Sequence, residues 1–339
     1  MKIKTKTING ESKTRVATLL STFFAVAVAT FTVACSDPKE KTVLNGEIPK
    51  ELIEVTDREV YVEVLDVPDK HHHDPSDIIQ YNGKYYLWYT QHPEVNNGWE
   101  GHIRLATSTD GLEWTAQGVA LPVGESGDID DKAAITSYVV PHDGKYYLFY
   151  TAYGSAAELK GITYAVADTP DGPWKKSGKK LLWPNGNKEE WDGVHIDDTN
   201  IIFFDDKWFL YYKGRPFGAE GTETKIGVAT SNNLLGPYTK YEKSPVFPGH
   251  AFTTWVHRNG VAAFGYGTFW SEDGFTFVKT SDWTPRTVGL YCPENFGNGV
   301  NNNGVFWGMK VKFPEDRGRY ITRMELPMLD LSNLKKTDK

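Results

Sequence analysis

Cysteine is nearly absent. The 339 residues hold two, Cys35 and Cys292, too few for a disulfide framework. Long helical periods are missing as well, so no segment argues for a helical bundle. Basic charge is the scarcer sign: 37 Lys and Arg stand against 44 Asp and Glu, a net charge of −7. That balance excludes a nucleic-acid-binding surface, which needs a basic face. No phosphate-cradling glycine loop, nucleophile elbow or zinc motif is present. Aromatics, by contrast, are plentiful, at 14% of the chain with 11 Trp. Their main use is packing; a few suit the apolar C–H faces of sugars.

The N-terminus reads as a targeting segment. Lys2, Lys4, Lys6, Lys13 and Arg15 precede a stretch, Val16 to Ala34, that is apolar apart from Ser and Thr. Thr32-Val33-Ala34-Cys35 then offers a small-residue cleavage site before a cysteine. Residues 1–35 resemble a bacterial lipoprotein signal, although Thr32 stands where Leu is usual. The alternative is an uncleaved anchor helix. A lipid on Cys35 implies a cell-envelope lipoprotein, periplasmic or on the outer-membrane surface, touching the membrane only through that anchor. It also leaves Cys292 without a disulfide partner. The leader carries five basic and one acidic side chain, net +4, so the remainder carries −11. Residues 36–57 are expected to be a tether or N-terminal segment. Residues 58–330 are expected to be one domain.

A phrase recurs through that domain. Asn82-Gly83-Lys84-Tyr85-Tyr86-Leu87-Trp88-Tyr89-Thr90 is echoed by Asp143-Gly144-Lys145-Tyr146-Tyr147-Leu148-Phe149-Tyr150-Thr151. It returns as Asp205-Asp206-Lys207-Trp208-Phe209-Leu210-Tyr211-Tyr212-Lys213, and more faintly from Asn259-Gly260. Repeats about 50 to 60 residues apart signal propellers or solenoids. A second strand family follows, at Ile103–Ser108, Ile162–Ala167 and Ile226–Ser231, each leading to a turn and an aromatic. Each unit therefore reads as a four-stranded antiparallel blade. The expectation is an all-β, five-bladed β-propeller, with the strand at Glu59–Val64 completing the last blade.

Equivalent positions on successive blades face one centre. Before each recurring turn lies a polar or ionisable residue: Asp74, Thr136, Asp198 and His250. Asp74 follows His71-His72-His73 and precedes Pro75, which cannot donate to a strand ladder. It is either a general base on water or a turn-satisfying carboxylate. Adjacent histidines on extended backbone point to alternate faces, so all three cannot serve one metal; none is assigned, and a site-bound divalent cation stays open. Asp74 and Asp198 on different blades give the paired carboxylates that glycosidic cleavage uses. An imidazole titrates near 6.5, so His250 can donate a proton near neutrality. Glu294 is the competing acid; His195 and His257 are further candidates.

Taken together, His73-Asp74-Pro75-Ser76, Asn82 to Tyr86, Asp198 with Tyr211-Tyr212-Lys213-Gly214, Gly249-His250 and Gly289-Leu290-Tyr291-Cys292-Pro293 carry a resemblance. Over residues 67–300 the chain resembles the five-bladed glycosidases of family 43 and, more closely, glycoside hydrolase family 117. The resemblance implies an exo-acting, inverting enzyme. Its substrate would be a red-algal galactan oligosaccharide, losing a terminal 3,6-anhydro-L-galactose. It implies Asp74 as base, His250 as acid and Asp198 as the partner that orients or tunes them. His73, Thr136, His195 and Glu294 would contact substrate, with no cofactor. Ala251 stands where the family has Glu, and Thr136-Ser137-Tyr138 where it has Thr-Pro-Glu. The family's N-terminal dimerisation segment is short or absent, leaving the oligomeric state open. Two alternatives remain. One is a family 43-like arabinofuranosidase or xylosidase with Glu294 as acid. The other is a non-catalytic glycan-binding lipoprotein.

Overall fold

The computed structural model describes residues 47–64, 71–92, 100–155, 159–285, 288–296, 306–314 and 319–329. The leader, Cys35, residues 36–46 and the Asn/Gly-rich run at 297–304 lie outside them. The described residues are all-β; helix is limited to single 3-10 turns such as Lys50–Leu52 and Pro293–Phe296.

The strands form four hydrogen-bonded sheets of mainly antiparallel pairs. The first holds His71–His73 and Ile79–Tyr81 against Lys84–His92, followed by His102–Ser108 and Thr115–Leu121. The second has nine strands between Ala133 and Pro248. It consists of two antiparallel groups, one from Ala133–His142 to Lys175–Lys176 and one from His195–Phe204 to Phe247–Pro248. A single parallel pairing, His195 with Lys160, fuses them. This fusion is why two repeat units share one sheet. The third sheet runs from Thr253–His257 to Val278–Ser281. The fourth joins Val288–Leu290, Trp307–Lys312 and Tyr320–Glu325 to Arg58–Val64. The strand Arg58–Val64 thus pairs with the last one, Tyr320–Glu325, as expected.

The recurring phrase forms the hairpins. Asn82-Gly83, Asp143-Gly144 and Asp205-Asp206 all take positive φ, between 47° and 76°. Two such residues in a two-residue loop match the twist of the flanking strands, and Asn, Asp and Gly tolerate the conformation best. The fourth hairpin differs by one position. His257 pairs with Gly260, so its loop is Arg258-Asn259, and Gly260 already opens a strand.

Packing accounts for most of the aromatics. Trp88, Trp255, Trp270, Tyr89, Tyr138, Tyr150, Tyr211 and Tyr212 are among the largest fully buried side chains. Buried phenols need partners. Tyr150 donates to Asp130 and Tyr212 to Asp192, both at 2.8 Å. The segment at 47–57 packs as well: Leu52 and Val55 are buried beside Trp255 and Met324. Glu51 pairs with His257 at 2.9 Å, which makes His257 a structural tie.

One buried carboxylate joins three of the sheets. Asp77, 2% exposed, accepts from Tyr138 Oη at 3.0 Å, the Leu290 amide at 2.8 Å and Asn295 Nδ2 at 3.2 Å. Asn200 extends the tie by accepting the Thr254 amide at 2.6 Å. Burial pushes the Asp77 carboxyl up to about 7. Replacing it with Ala takes the acceptor from the Tyr138 hydroxyl and the Leu290 amide, each costing about 1–3 kcal/mol, while Asn295 keeps the Tyr138 oxygen and the Thr254 carbonyl as acceptors and a buried charge is relieved. Asp77→Ala is expected to lose on the order of 3 kcal/mol of stability, read as a lower urea midpoint. An unchanged midpoint would show that the tie is dispensable.

Candidate active site

Three residues break their strands in the same way. Asp74, Thr136 and Asp198 have φ of 49°, 52° and 41°, a region uncommon for non-glycine residues and costly for β-branched Thr. The ladder skips between Ile135 and Tyr138, and again between Asp197 and Thr199. Each break is held by a threonine from the preceding repeat. The Thr136 amide donates to Thr90 Oγ1 at 2.9 Å, and the Asp198 amide to Thr151 Oγ1 at 3.2 Å. Thr90 also hydrogen-bonds the Asp74 carboxylate. Local strain of this kind persists only where the surroundings enforce it, and it clusters at functional sites.

The three residues line one cavity of about 330 Å³ together with His73, His92, Lys213, Arg215, His250, Ala251, Phe313 and Arg319. A smaller recess with Ser76, Asp77, Tyr138 and Asn200 on its walls shares Asp74, Thr136, Asp198 and Ala251. The volume falls in the range of small-ligand sites. Of the residues singled out from sequence, Asp74, Asp198, His250, His73 and Thr136 therefore come together.

His195 and Glu294 are not among the residues lining this cavity. His195 opens its strand beside Lys160, 3.3 Å from that ammonium. Burial and Lys160 push it down to about 4. Glu294 sits in the Pro293–Phe296 turn and meets Cys292 Sγ at 3.6 Å.

Lys213 organises the charges. Its ammonium is 2.7 Å from Asp198 and 3.4 Å from Asp197. Burial alone would depress this lysine, but the two carboxylates hold it above the ordinary range. Asp74 moves the other way: burial first, then the charge of Asp198, pushes it up to about 7, against the pull of Lys213. His250 is exposed, with Nδ1 3.1 Å from Thr224 Oγ1. Lys213, and then partial desolvation of the ring, push it down to about 4, so its proton is held far more loosely than a free imidazole's. The near-neutral donor expected from sequence is thus displaced by a neighbouring cation.

Among the described residues, one group could hold a metal. Ligand atoms of His73, Asp74 and His92 lie within 4.8 Å of one another. However, the Arg319 guanidinium sits against the His73 ring, and burial with this cation pushes His73 down to about 2. A fixed positive charge there opposes a second one. Lys213, Arg215, Arg319 and His92 were not singled out as site residues from sequence. Lys213 carried a signal: it occupies the repeat position filled elsewhere by Thr90 and Thr151.

A family model described as glycosyl hydrolases family 43 matches residues 67–215. Among solved structures, a family 117 glycoside hydrolase from the marine bacterium Zobellia galactanivorans has a TM-score of 0.72 at 26% identity. That likeness covers 82% of this chain and 92% of the other. The chain is a relative of the family 43 and family 117 glycoside hydrolases. A probable arabinan endo-1,5-alpha-L-arabinosidase C of Neosartorya fischeri is 30% identical over 138 residues, 38% of this chain. The chain spans 40% of that relative's length. A probable enzyme of the same description from Aspergillus clavatus is 27% identical over 232 residues, covering 66% of this chain and 69% of the relative. Within the family 43 match fall Asp74, Thr136 and Asp198, the three strained positions of the cavity.

Proposed function

We propose that this chain is an exo-acting, inverting glycoside hydrolase of the family 117 kind, acting on red-algal galactan oligosaccharides. Its preferred product is a terminal 3,6-anhydro-L-galactose. The observation that carries the reading is the convergence of Asp74, Asp198 and His250 on one cavity. We read the two groups of the nine-stranded sheet as separate blades, which gives five blades around that cavity.

The chemistry follows from the placement. The Asp74 carboxylate accepts a proton from water, which attacks the anomeric carbon. His250, held on its Nδ1 side by Thr224, donates a proton to the departing glycosidic oxygen. Asp198, fixed by Lys213, keeps a negative charge beside Asp74 and so raises its basicity. Attack on the face opposite the leaving group inverts the anomeric centre. The anchor at Cys35 would present this domain in the cell envelope.

A second reading is supported by the arabinanase relatives: hydrolysis of arabino-oligosaccharides by the same cavity. Defined galactan and arabinan oligosaccharides, incubated with the protein and followed by proton NMR, separate the two. The expected result is a monosaccharide released from the non-reducing end, appearing first as the inverted anomer. Release of arabinose alone would favour the second reading. First appearance of the retained anomer, or no product from any oligosaccharide, would overturn the proposal.

A further inference from the structure

The hydrolytic scheme leaves two cations of the cavity unused. Arg215 and Arg319 line it from different sheets, one on the strand Lys207–Arg215, the other just before Tyr320–Glu325. Lys213 is neutralised by Asp197 and Asp198. Neither guanidinium is so compensated: among the described residues, no carboxylate forms an ion pair with either. Arg215 spends only Nε, on the Ala219 carbonyl at 2.8 Å. Arg319 rests against the His73 ring and lies 4.9 Å from the centre of the Phe313 ring.

Half-buried guanidiniums without a counter-charge are costly, and they are the side chain best shaped for planar, bidentate capture of an oxyanion. Their field is felt by the neighbours. Arg319 helps keep His71, His73 and His92 neutral, and Arg215 acts likewise on His195 and His250. Phe313 adds the remaining element. It is 45% exposed, lies in the same wall, and presents an aromatic face of the kind on which a sugar ring's C–H groups stack. A neutral sugar would use the aromatic face but would leave both charges uncompensated.

We propose that the substrate is an anionic oligosaccharide whose acidic group is held between Arg215 and Arg319 while a sugar ring packs on Phe313. Resting on the hydrolase reading above, this assigns the substrate class: a sulfate ester or a uronate carboxylate, the first tetrahedral and the second planar, both oxyanions that guanidinium recognises.

The test is calorimetric titration of the full chain carrying Asp74→Asn, which leaves the ligand uncut. Three matched oligosaccharides are used: neutral, sulfated and uronate-bearing. At low salt, at least one anionic member is expected to bind about tenfold or more tightly than the neutral one. The preference should shrink at 0.5 M NaCl as screening rises. In Arg215→Gln and Arg319→Gln, checked for folding by thermal melts, it should fall to about twofold. The sulfate and uronate arms identify the source of the charge. Equal or weaker binding of both anions, no binding by either, or a preference that survives both arginine replacements would overturn the inference. Turnover by the unmodified protein separates the two readings. A neutral oligosaccharide cut while neither anion binds sinks the anionic substrate only. An anion bound tightly but never cut sinks the hydrolase reading only.

Discussion

Asp74→Asn is expected to lower kcat/KM by a factor of about 10²–10⁴ while leaving the fold intact. The amide keeps the size of the carboxyl group but cannot accept the proton from water. Asn also tolerates the positive φ of 49° at this position better than most residues, so the strand break survives. Stability should hold or rise. Burial and the charge of Asp198 push the Asp74 carboxyl up to about 7, which means the native state disfavours its ionised form. A neutral amide removes that penalty. The pairing of results is what discriminates: lost turnover with an unchanged or higher urea midpoint assigns Asp74 to chemistry. Turnover within about threefold of the unmodified protein would remove the general base from the scheme. Lost turnover with a collapsed midpoint would instead make Asp74 a structural residue.

Asp74, Thr136 and Asp198 were legible as a set because each repeat uses the same local geometry. A two-residue turn with positive φ, then a strand carrying Tyr-Thr, places a threonine against the next repeat's strand break, and the Tyr-Lys copy places Lys213 against the break of its own repeat. Period and turn chemistry are local, so they show in the chain. The same repetition ties Tyr150 to Asp130 and Tyr212 to Asp192 across identical separations. Residues that enter the cavity from outside the repeat were not legible as cavity residues. Phe313 and Arg319 come from the far end of the chain, in irregular backbone beside the last strands, and no spacing relates them to Asp74. Glu294 and His195 had no repeat position behind them, unlike His250; residue type was their only guide. Their backbone places them elsewhere: Glu294 in a 3-10 turn, and His195 at the entrance of a strand beside Lys160. Asp77 was hidden for another reason. Its partners Tyr138, Leu290 and Asn295 lie 61 to 218 residues away, so only closure of the sheets upon one another reveals that it is a hub. The protonation of His250 was also out of reach, since it depends on the ammonium of Lys213, far from it in sequence.

That ammonium sets the pH profile. If Asp74 must be ionised and His250 protonated, the free-enzyme profile of kcat/KM has limbs at about 7 and about 4. The order is inverted, because the acid titrates below the base. At the midpoint, roughly one molecule in 10³ then carries both groups in the working state. Activity should therefore form a bell centred in the mildly acidic range. Lys213 lowers both groups, and it is the foremost cause of the displacement of His250. In Lys213→Met, both limbs are expected to move alkaline, the one belonging to His250 further than the one belonging to Asp74. The same change strands Asp197 and Asp198 without their cation, at a cost of about 3–5 kcal/mol. The variant should thus be markedly less stable and yet show a shifted, not merely lowered, profile. Lys213→Arg keeps the charge and should restore both limbs. This control separates electrostatics from packing. If both limbs stay put in Lys213→Met, or Lys213→Arg shifts them as far, the profile belongs to other groups. The assignment of His250 as proton donor would then fail with it.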